Sequence, residues 1–306
     1  MRKLFAAFLA AVLLVGSLTG AGPVTQSGPR LYTSSSSSSS SGGGGSTDFA
    51  NILKYTDFSS GTIGNPVSVS GLEFFASSLT YENDFVDTGF SKSAKAVINI
   101  ASAGMGWNYS LFTSNSLRRY DELWHSFRIR PTSGTTFQAS PYFKFFRAHN
   151  SAANDDAGGN NRGHSDIYLN NDGHFHYITE TFADTQHPLA GSSTAYAPTA
   201  GEWHTFDVYY KFDSVPVDSG GQSIVRFWRD KVLVAELTDV VTMATNDSYI
   251  VDTRFNTFWN GTNYPLQQQT YNYQAIGIAI KRAGGRDDSA LLTTDASGNK
   301  LIAVGY

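Results

Sequence analysis

Short segments in which apolar and polar residues alternate recur along most of the chain, separated by Gly, Asn, Asp and Pro. Alternation with a period of two is typical of β-strands that have one buried and one exposed face. After the first twenty residues, no apolar run has helical spacing. We therefore predict an all-β fold, a two-sheet antiparallel jelly-roll sandwich. The predicted strands are 94–100, 122–130, 141–148, 164–170, 174–181, 203–213, 223–229, 231–237, 254–259 and 271–281.

Two tight turns are predicted between these strands. Asn171-Asp172-Gly173 separates two alternating segments and is a strong hairpin signal. Asp230 and Lys231 separate a second pair of segments in the same way. Both turns predict antiparallel pairing of the strands that they connect.

The alternation also assigns side chains to the faces of each strand. In 164–170, Ile167 and Leu169 point one way, and His164, Asp166 and Tyr168 point the other. In 203–213 and 223–229, one face is rich in aromatic and basic residues. Sugars favour such surfaces because rings stack on their C–H faces, although a solvated sheet face is the alternative. The predicted substrate-binding residues are Lys144, Trp203, Tyr209, Lys211, Arg226 and Trp228.

The N-terminal region has the pattern of an export signal. Arg2 and Lys3 precede an apolar run over 4–15, and small residues follow up to residue 21. The apolar run is too short to favour a membrane-spanning helix. We expect residues 1–21 to be a signal peptide, 22–47 a Ser/Gly-rich linker and 48–306 the jelly-roll domain. Residues 18–21 resemble a bacterial lipoprotein box without its Cys, which favours a secreted, periplasmic or cell-surface location in a bacterium.

Composition narrows the chemistry further. The chain has no Cys, which excludes disulfides, thiolate metal sites and a cysteine nucleophile. The formal charge is −4, and removal of Arg2 and Lys3 with the signal leaves 20 basic and 26 acidic residues. This balance argues against general nucleic-acid binding. We expect a monomer without stable membrane insertion after signal removal.

Several motifs together resemble the concanavalin A-like lectin/glucanase superfamily, and in particular the polysaccharide-lyase-like jelly rolls of secreted bacterial proteins. They are Glu122-Leu-Trp-His-Ser-Phe-Arg-Ile-Arg130, Lys144-Phe-Phe-Arg147, Gly163-His-Ser-Asp-Ile-Tyr-Leu169, Gly201-Glu-Trp-His-Thr-Phe206 and Phe258-Trp-Asn-Gly261. The resemblance covers roughly residues 70–300 and implies two stacked antiparallel sheets with a glycan-binding concave face. The Glu-x-Asp-x-x-Glu strand of the retaining glucanases is absent, and Asp166 and Glu180 stand alone in the sequence.

Six of the seven histidines fall between residues 149 and 204. A lyase that acts on uronic-acid chains needs a cation to neutralise the sugar carboxylate, a base for the adjacent C–H proton and an acid for the leaving oxygen. Histidine and tyrosine suit the last two roles. The predicted catalytic residues are His164, Tyr168, His176 and Arg147. Alternation around 142–147 is ambiguous, because Lys144 and Arg147 have opposite parity.

Metal binding is the alternative use of these residues. His174 and His176 would project from one face of a strand, as zinc ligands do, but no third ligand is evident. Asp155-Asp156 and Asp287-Asp288 are candidates for a structural calcium ion, or are solvated loop acids. We therefore expect no cofactor other than such a calcium ion.

These observations predict a secreted polysaccharide lyase that cleaves an anionic, uronic-acid-containing glycan by β-elimination. A non-catalytic, lectin-like carbohydrate-binding surface protein is the alternative on the same fold. A structural or adhesive protein presented by the Ser/Gly linker is a third interpretation.

Overall fold

The computed structural model describes residues 31–32, 51–69, 73–74, 79–98, 109–111, 117–134, 141–151, 161–170, 172–180, 182–183, 185–189, 196–261, 268–281, 283 and 302–303. The predicted signal peptide, most of the predicted linker and both candidate calcium pairs lie outside these residues. The strands are β1 Leu31–Tyr32, β2 Asn51–Thr56, β3 Glu73–Phe74, β4 Leu79–Glu82, β5 Ser93–Ile98, β6 Tyr109–Leu111, β7 Glu122–Pro131, β8 Pro141–Ser151, β9 Asn161–Asn170, β10 Phe175–Glu180, β11 Gln186–Pro188, β12 His204–Lys211, β13 Ile224–Arg229, β14 Val232–Leu237, β15 Tyr249–Gly261, β16 Gln269–Lys281 and β17 Ile302–Ala303.

The strands form two antiparallel sheets. The ten-stranded sheet has the order β1-β17-β2-β16-β7-β12-β13-β14, with β5 also paired to β16 and β4 to β5. The seven-stranded sheet has the order β11-β10-β9-β8-β15-β6-β3. A short 3₁₀ turn, Val217–Ser219, lies between β12 and β13. The predicted all-β jelly-roll sandwich is confirmed.

Aromatic side chains fill the space between the two sheets. The ring of Phe145 on β8 lies 4.8 Å from Phe175 of its own sheet, and 5.3 Å and 5.0 Å from Phe127 and Phe206 of the other sheet. All four side chains are buried, and burial of one phenylalanine contributes roughly 1.5–3 kcal/mol. This core holds the two sheets face to face, so the polar side chains of each strand point outwards.

Both predicted hairpins are present. β9 and β10 pair on either side of Asp172 and Gly173, and Gly173 has a φ of 86° that favours glycine. Asp230 and Lys231 join β13 to β14 with φ values of 51° and 70°, the geometry of a two-residue hairpin turn. His174 directly precedes β10, which contains His176, and the backbone carbonyl of His174 accepts a hydrogen bond of 2.9 Å from the N–H of Asn170.

A β-bulge in β8 decides which side chains reach the outer face of the seven-stranded sheet. The register against β9 shifts between Lys144, opposite Tyr168, and Phe146, opposite Ile167. Phe145 and Phe146 are both fully buried against rings of the opposite sheet. The extra inward residue places Lys144 and Arg147 on the same outer face despite their opposite parity.

Among the residues with described positions, no helix is long and apolar enough to cross a bilayer.

Candidate functional site

The outer face of the seven-stranded sheet carries a dense group of ionisable side chains, which we call the histidine face. Directly opposite residues of a ladder point to the same side of a sheet, and the registers of β10, β9, β8 and β15 align these residues in rows. The histidine face consists of Lys144, Arg147, His149, His164, Asp166, Tyr168, His176, Glu180, Asp252 and Arg254.

Arg147 organises the centre of this face. Its Nε donates to both oxygens of the buried Asp166 at 3.0 Å, and Nη2 donates to the Glu180 carboxylate at 3.2 Å. Tyr168 donates its hydroxyl to Glu180 at 2.6 Å, so one guanidinium and one phenol fix this carboxylate. Asp166 and Glu180, isolated in the sequence, therefore belong to one network. The pKa of Arg147 is raised by the neighbouring Asp166 although burial acts in the opposite direction.

His164 and Glu180 form an imidazole–carboxylate pair across β9 and β10. The Nδ1 atom of His164 lies 3.5 Å from Oε2 of Glu180. Burial lowers the pKa of His164, and the charge of Arg147 acts in the same direction. The contact with His164 and the hydrogen bond from Tyr168 lower the pKa of Glu180 to about 2. At neutral pH the pair therefore consists of a neutral imidazole held against an ionised carboxylate, the arrangement of a general base.

Lys144 provides a cation beside this pair. Its Nζ lies 5.5 Å from the centre of the Tyr168 ring, directly across the ladder. Burial, together with the charge of Arg147, lowers the pKa of Lys144. The carboxylate of a bound sugar would stabilise the protonated, charged form of Lys144, because an opposite charge at short range offsets part of the desolvation cost.

His149 and Asp252 form a second imidazole–carboxylate pair, on β8 and β15. Their Nδ1 and Oδ2 atoms lie 3.5 Å apart, and the imidazoles of His149 and His164 are 5.3 Å apart. Arg254 holds Asp252 with two hydrogen bonds of 2.8 Å and 2.9 Å. Burial alone would raise the pKa of Asp252, but the contact with His149 and the hydrogen bonds from Arg254 lower it.

A divalent cation is a poor fit to the centre of the face. His164, Asp166 and Glu180 offer ligand atoms within 4.8 Å of one another. However, Arg147 already donates hydrogen bonds to both of these carboxylates. A metal ion would have to displace this buried guanidinium, because two positive charges cannot share the same two acids at contact distance.

The structure divides the predicted site residues between the two sheets. His164, Tyr168, His176, Arg147 and Lys144 lie together on the histidine face. His176 is opposite Tyr168 and contacts Gln186 at 3.1 Å. The remaining predicted binding residues, Trp203, Tyr209, Lys211, Arg226 and Trp228, lie on or next to β12 and β13 of the ten-stranded sheet, on the opposite side of the sandwich.

Two of those aromatic side chains are enclosed. Tyr209 is 5% exposed, with the Trp124 ring 4.9 Å away on one side and the Arg226 guanidinium 5.3 Å away on the other. Trp228 is 2% exposed. Their rings therefore have little free surface on which a sugar could stack.

Glu180, His149 and Asp252 were not among the predicted site residues. The hairpin at 171–173 contains the signal for Glu180, because counting outwards from this turn places it opposite His164. No such local signal exists for His149 and Asp252, which are about a hundred positions apart and meet only because β15 pairs with β8.

Comparison with known proteins gives a fold. No protein-family model and no curated protein sequence matches the chain. Several solved structures, however, are similar to this chain. An alginate lyase from Aplysia kurodai has a TM-score of 0.51 at 10% identity, over 75% of this chain and 99% of that one. The chain has the concanavalin A-like jelly-roll fold.

Two further structures with this fold are also polysaccharide lyases. The endo-β-1,4-glucuronan lyase from the fungus Trichoderma reesei has a TM-score of 0.50 at 15% identity, over 74% of this chain and 94% of that one. The alginate lyase Aly36B has a TM-score of 0.51 at 14% identity, over 76% and 98%. At such low identities the similarity concerns the fold, so the chemistry of this chain has to be argued from its own residues.

Proposed function

We propose that the protein is a polysaccharide lyase that cleaves a uronic-acid-containing glycan by β-elimination on the histidine face. The observation that carries this proposal is the neutral His164 imidazole held against the ionised Glu180, 3.5 Å away, with the charges of Lys144 and Arg147 acting on the same carboxylate. Removal of the C–H proton next to a sugar carboxylate requires a base, and it requires a positive charge that stabilises the anion formed. The fold shared with glucuronan and alginate lyases supports the same reaction.

In the proposed reaction Lys144 binds the sugar carboxylate and lowers the energy of the anion that forms when the neighbouring C5–H bond breaks. His164 takes the C5 proton. The electron pair left on C5 then forms the C4–C5 double bond, while the C4–O bond breaks and the glycosidic oxygen leaves with the departing chain. The leaving glycosidic oxygen must receive a proton. Each cleavage of the polymer therefore yields one new chain end with a hydroxyl group and one with a C4–C5 double bond.

Arg147, Tyr168 and Glu180 have a positioning role in this scheme. The guanidinium of Arg147 is engaged by two carboxylates, and the Tyr168 hydroxyl donates to Glu180. Burial also raises the pKa of Tyr168, which keeps the phenol protonated as a donor. These contacts hold Glu180 in place and Glu180 orients the imidazole of His164. A polymeric substrate also fits the export that residues 1–21 predict.

The test is incubation of the purified protein with a panel of polyuronates, including glucuronan, alginate and glycosaminoglycans, while the ultraviolet absorbance of the conjugated product is recorded. We expect cleavage of at least one, and a loss of about 100-fold or more in kcat for His164→Gln, the typical effect of removing a general base. His187→Gln is the matched control, because His187 lies on the edge strand β11 near Asp239.

The same experiment distinguishes a lyase from a non-catalytic carbohydrate-binding protein. Retention of the protein in polyuronate affinity gels without any unsaturated product would show a carbohydrate-binding protein instead of a lyase. Equal activity of His164→Gln and the native protein would remove the assignment of the base.

A further inference from the structure

Four side chains on four adjacent strands form a row with mirror-like order across the histidine face. Glu180 on β10 is opposite His164 on β9, which is opposite His149 on β8, which is opposite Asp252 on β15. The successive separations are 3.5 Å from carboxylate to imidazole, 5.3 Å between the two imidazole centres and 3.5 Å from imidazole to carboxylate. The proposed base thus has a second, equally supported imidazole beside it.

We propose that His149 is the general acid that protonates the leaving glycosidic oxygen, with Asp252 as its positioning residue. This inference rests on the proposed lyase function. In the step, the N–H bond of the His149 imidazolium breaks, an O–H bond forms on the departing chain and the C4–O bond breaks. The imidazole is left neutral and the proton that His164 removed from C5 balances the cycle after exchange with water.

The surroundings of His149 suit this role. Asp252 is held in place by the two hydrogen bonds of Arg254, and its Oδ2 atom lies 3.5 Å from Nδ1 of the His149 ring. Both ring nitrogens of His149 are buried, and Nε2 has no hydrogen-bond partner among the residues that the structure describes, so the ring has to turn towards the bound chain before Nε2 can donate its proton. A buried polar atom without a partner costs about 1–3 kcal/mol, and in this place a glycosidic oxygen would supply the partner.

The spacing and access of the two imidazoles also fit. The reacting C5–H and C4–O bonds are on adjacent carbons, so in a syn elimination, where the proton and the oxygen leave from the same face of the sugar, acid and base have to lie side by side. The side chains of His149 and His164 are 11% and 16% exposed, so both rings lie just beneath the surface of the sheet. Tyr168, another proton donor on the histidine face, is fully buried and its hydroxyl is engaged with Glu180.

Leaving groups of different basicity test the assignment. The first substrate is the polyuronate that the native enzyme cleaves, whose alkoxide leaving group needs a proton. The second is a synthetic uronide with a 4-nitrophenyl ether at C4, which leaves as a stable phenolate without one. Release of nitrophenolate and formation of the unsaturated sugar are both followed by absorbance.

For His149→Gln we expect a loss of about 100-fold or more on the polyuronate, the range of a general acid, and little change on the nitrophenyl ether. His164→Gln should lose activity on both substrates and His187→Gln on neither. Asp252→Asn should show the same selectivity as His149→Gln with a smaller loss. Circular dichroism of each variant checks that it is folded.

Equal losses of His149→Gln on the two substrates would overturn the assignment, because a structural defect does not distinguish leaving groups. If Asp252→Asn alone is folded, a non-selective loss in that variant would overturn it as well. Failure of the proposed function looks different, since the native protein would then release product from neither substrate.

Discussion

Replacement of Arg147 by Met removes the guanidinium at the centre of the histidine face and leaves Asp166 without its partner. Asp166 is fully buried, and Arg147 provides it with hydrogen bonds from Nε to both oxygens. An uncompensated buried charge of this kind typically costs about 3–5 kcal/mol. For a domain of this size that corresponds to a decrease in Tm of roughly 6–20 °C.

The assay is urea denaturation followed by tryptophan fluorescence, with thermal unfolding as a second measurement. Arg226→Met is the control with the same chemical change, because the Arg226–Glu236 pair is 31% and 41% exposed and such surface pairs contribute about 0–1 kcal/mol. The double variant Arg147→Met with Asp166→Asn should recover much of the loss, since the buried negative charge is then gone.

Two results would refute this reasoning. Arg147→Met could prove as stable as Arg226→Met to within about 1 kcal/mol, the range of a solvent-exposed pair. Alternatively, the losses of Arg147→Met and Asp166→Asn could simply add in the double variant, which would mean that the two side chains are not energetically coupled.

Two further predictions concern the pH dependence of stability. Burial raises the pKa of Asp207 from 3.8 to about 7, so the folded state retains a proton that the unfolded state loses, and stability falls as pH rises across this window. Asp207→Asn should therefore increase the free energy of unfolding by up to about 4 kcal/mol above pH 7 and change it little below pH 4, whereas the exposed Asp218→Asn should have little effect at either pH. Burial lowers the pKa of His125 from 6.5 to about 3, so stability falls as pH decreases between these values. His125→Leu should remove roughly 3–5 kcal/mol of this acid sensitivity, and an unchanged acid unfolding profile of that variant would contradict the prediction.

Much of the fold follows from local patterns that the chain carries in every segment. A period of two marks the strands and their buried faces, which is why the inward positions of Ile167 and Leu169 were predictable. The hairpin turns at 171–173 and 230–231 fix the pairing of neighbouring strands and, in principle, the contact of His164 with Glu180. These features depend on residues that are close in sequence, so the sequence by itself determines them.

The tertiary structure alone decided three features of the candidate site. The bulge in β8 brings Lys144 and Arg147 to one face, because the two adjacent residues Phe145 and Phe146 are both buried in the core. The pairing of β8 with β15 brings His149 to Asp252. Assignment of β12 and β13 to the other sheet removes Tyr209 and Arg226 from the histidine face. Each depends on which distant strands become neighbours, and a period-two pattern gives the face of a residue without naming the strand that will lie beside it.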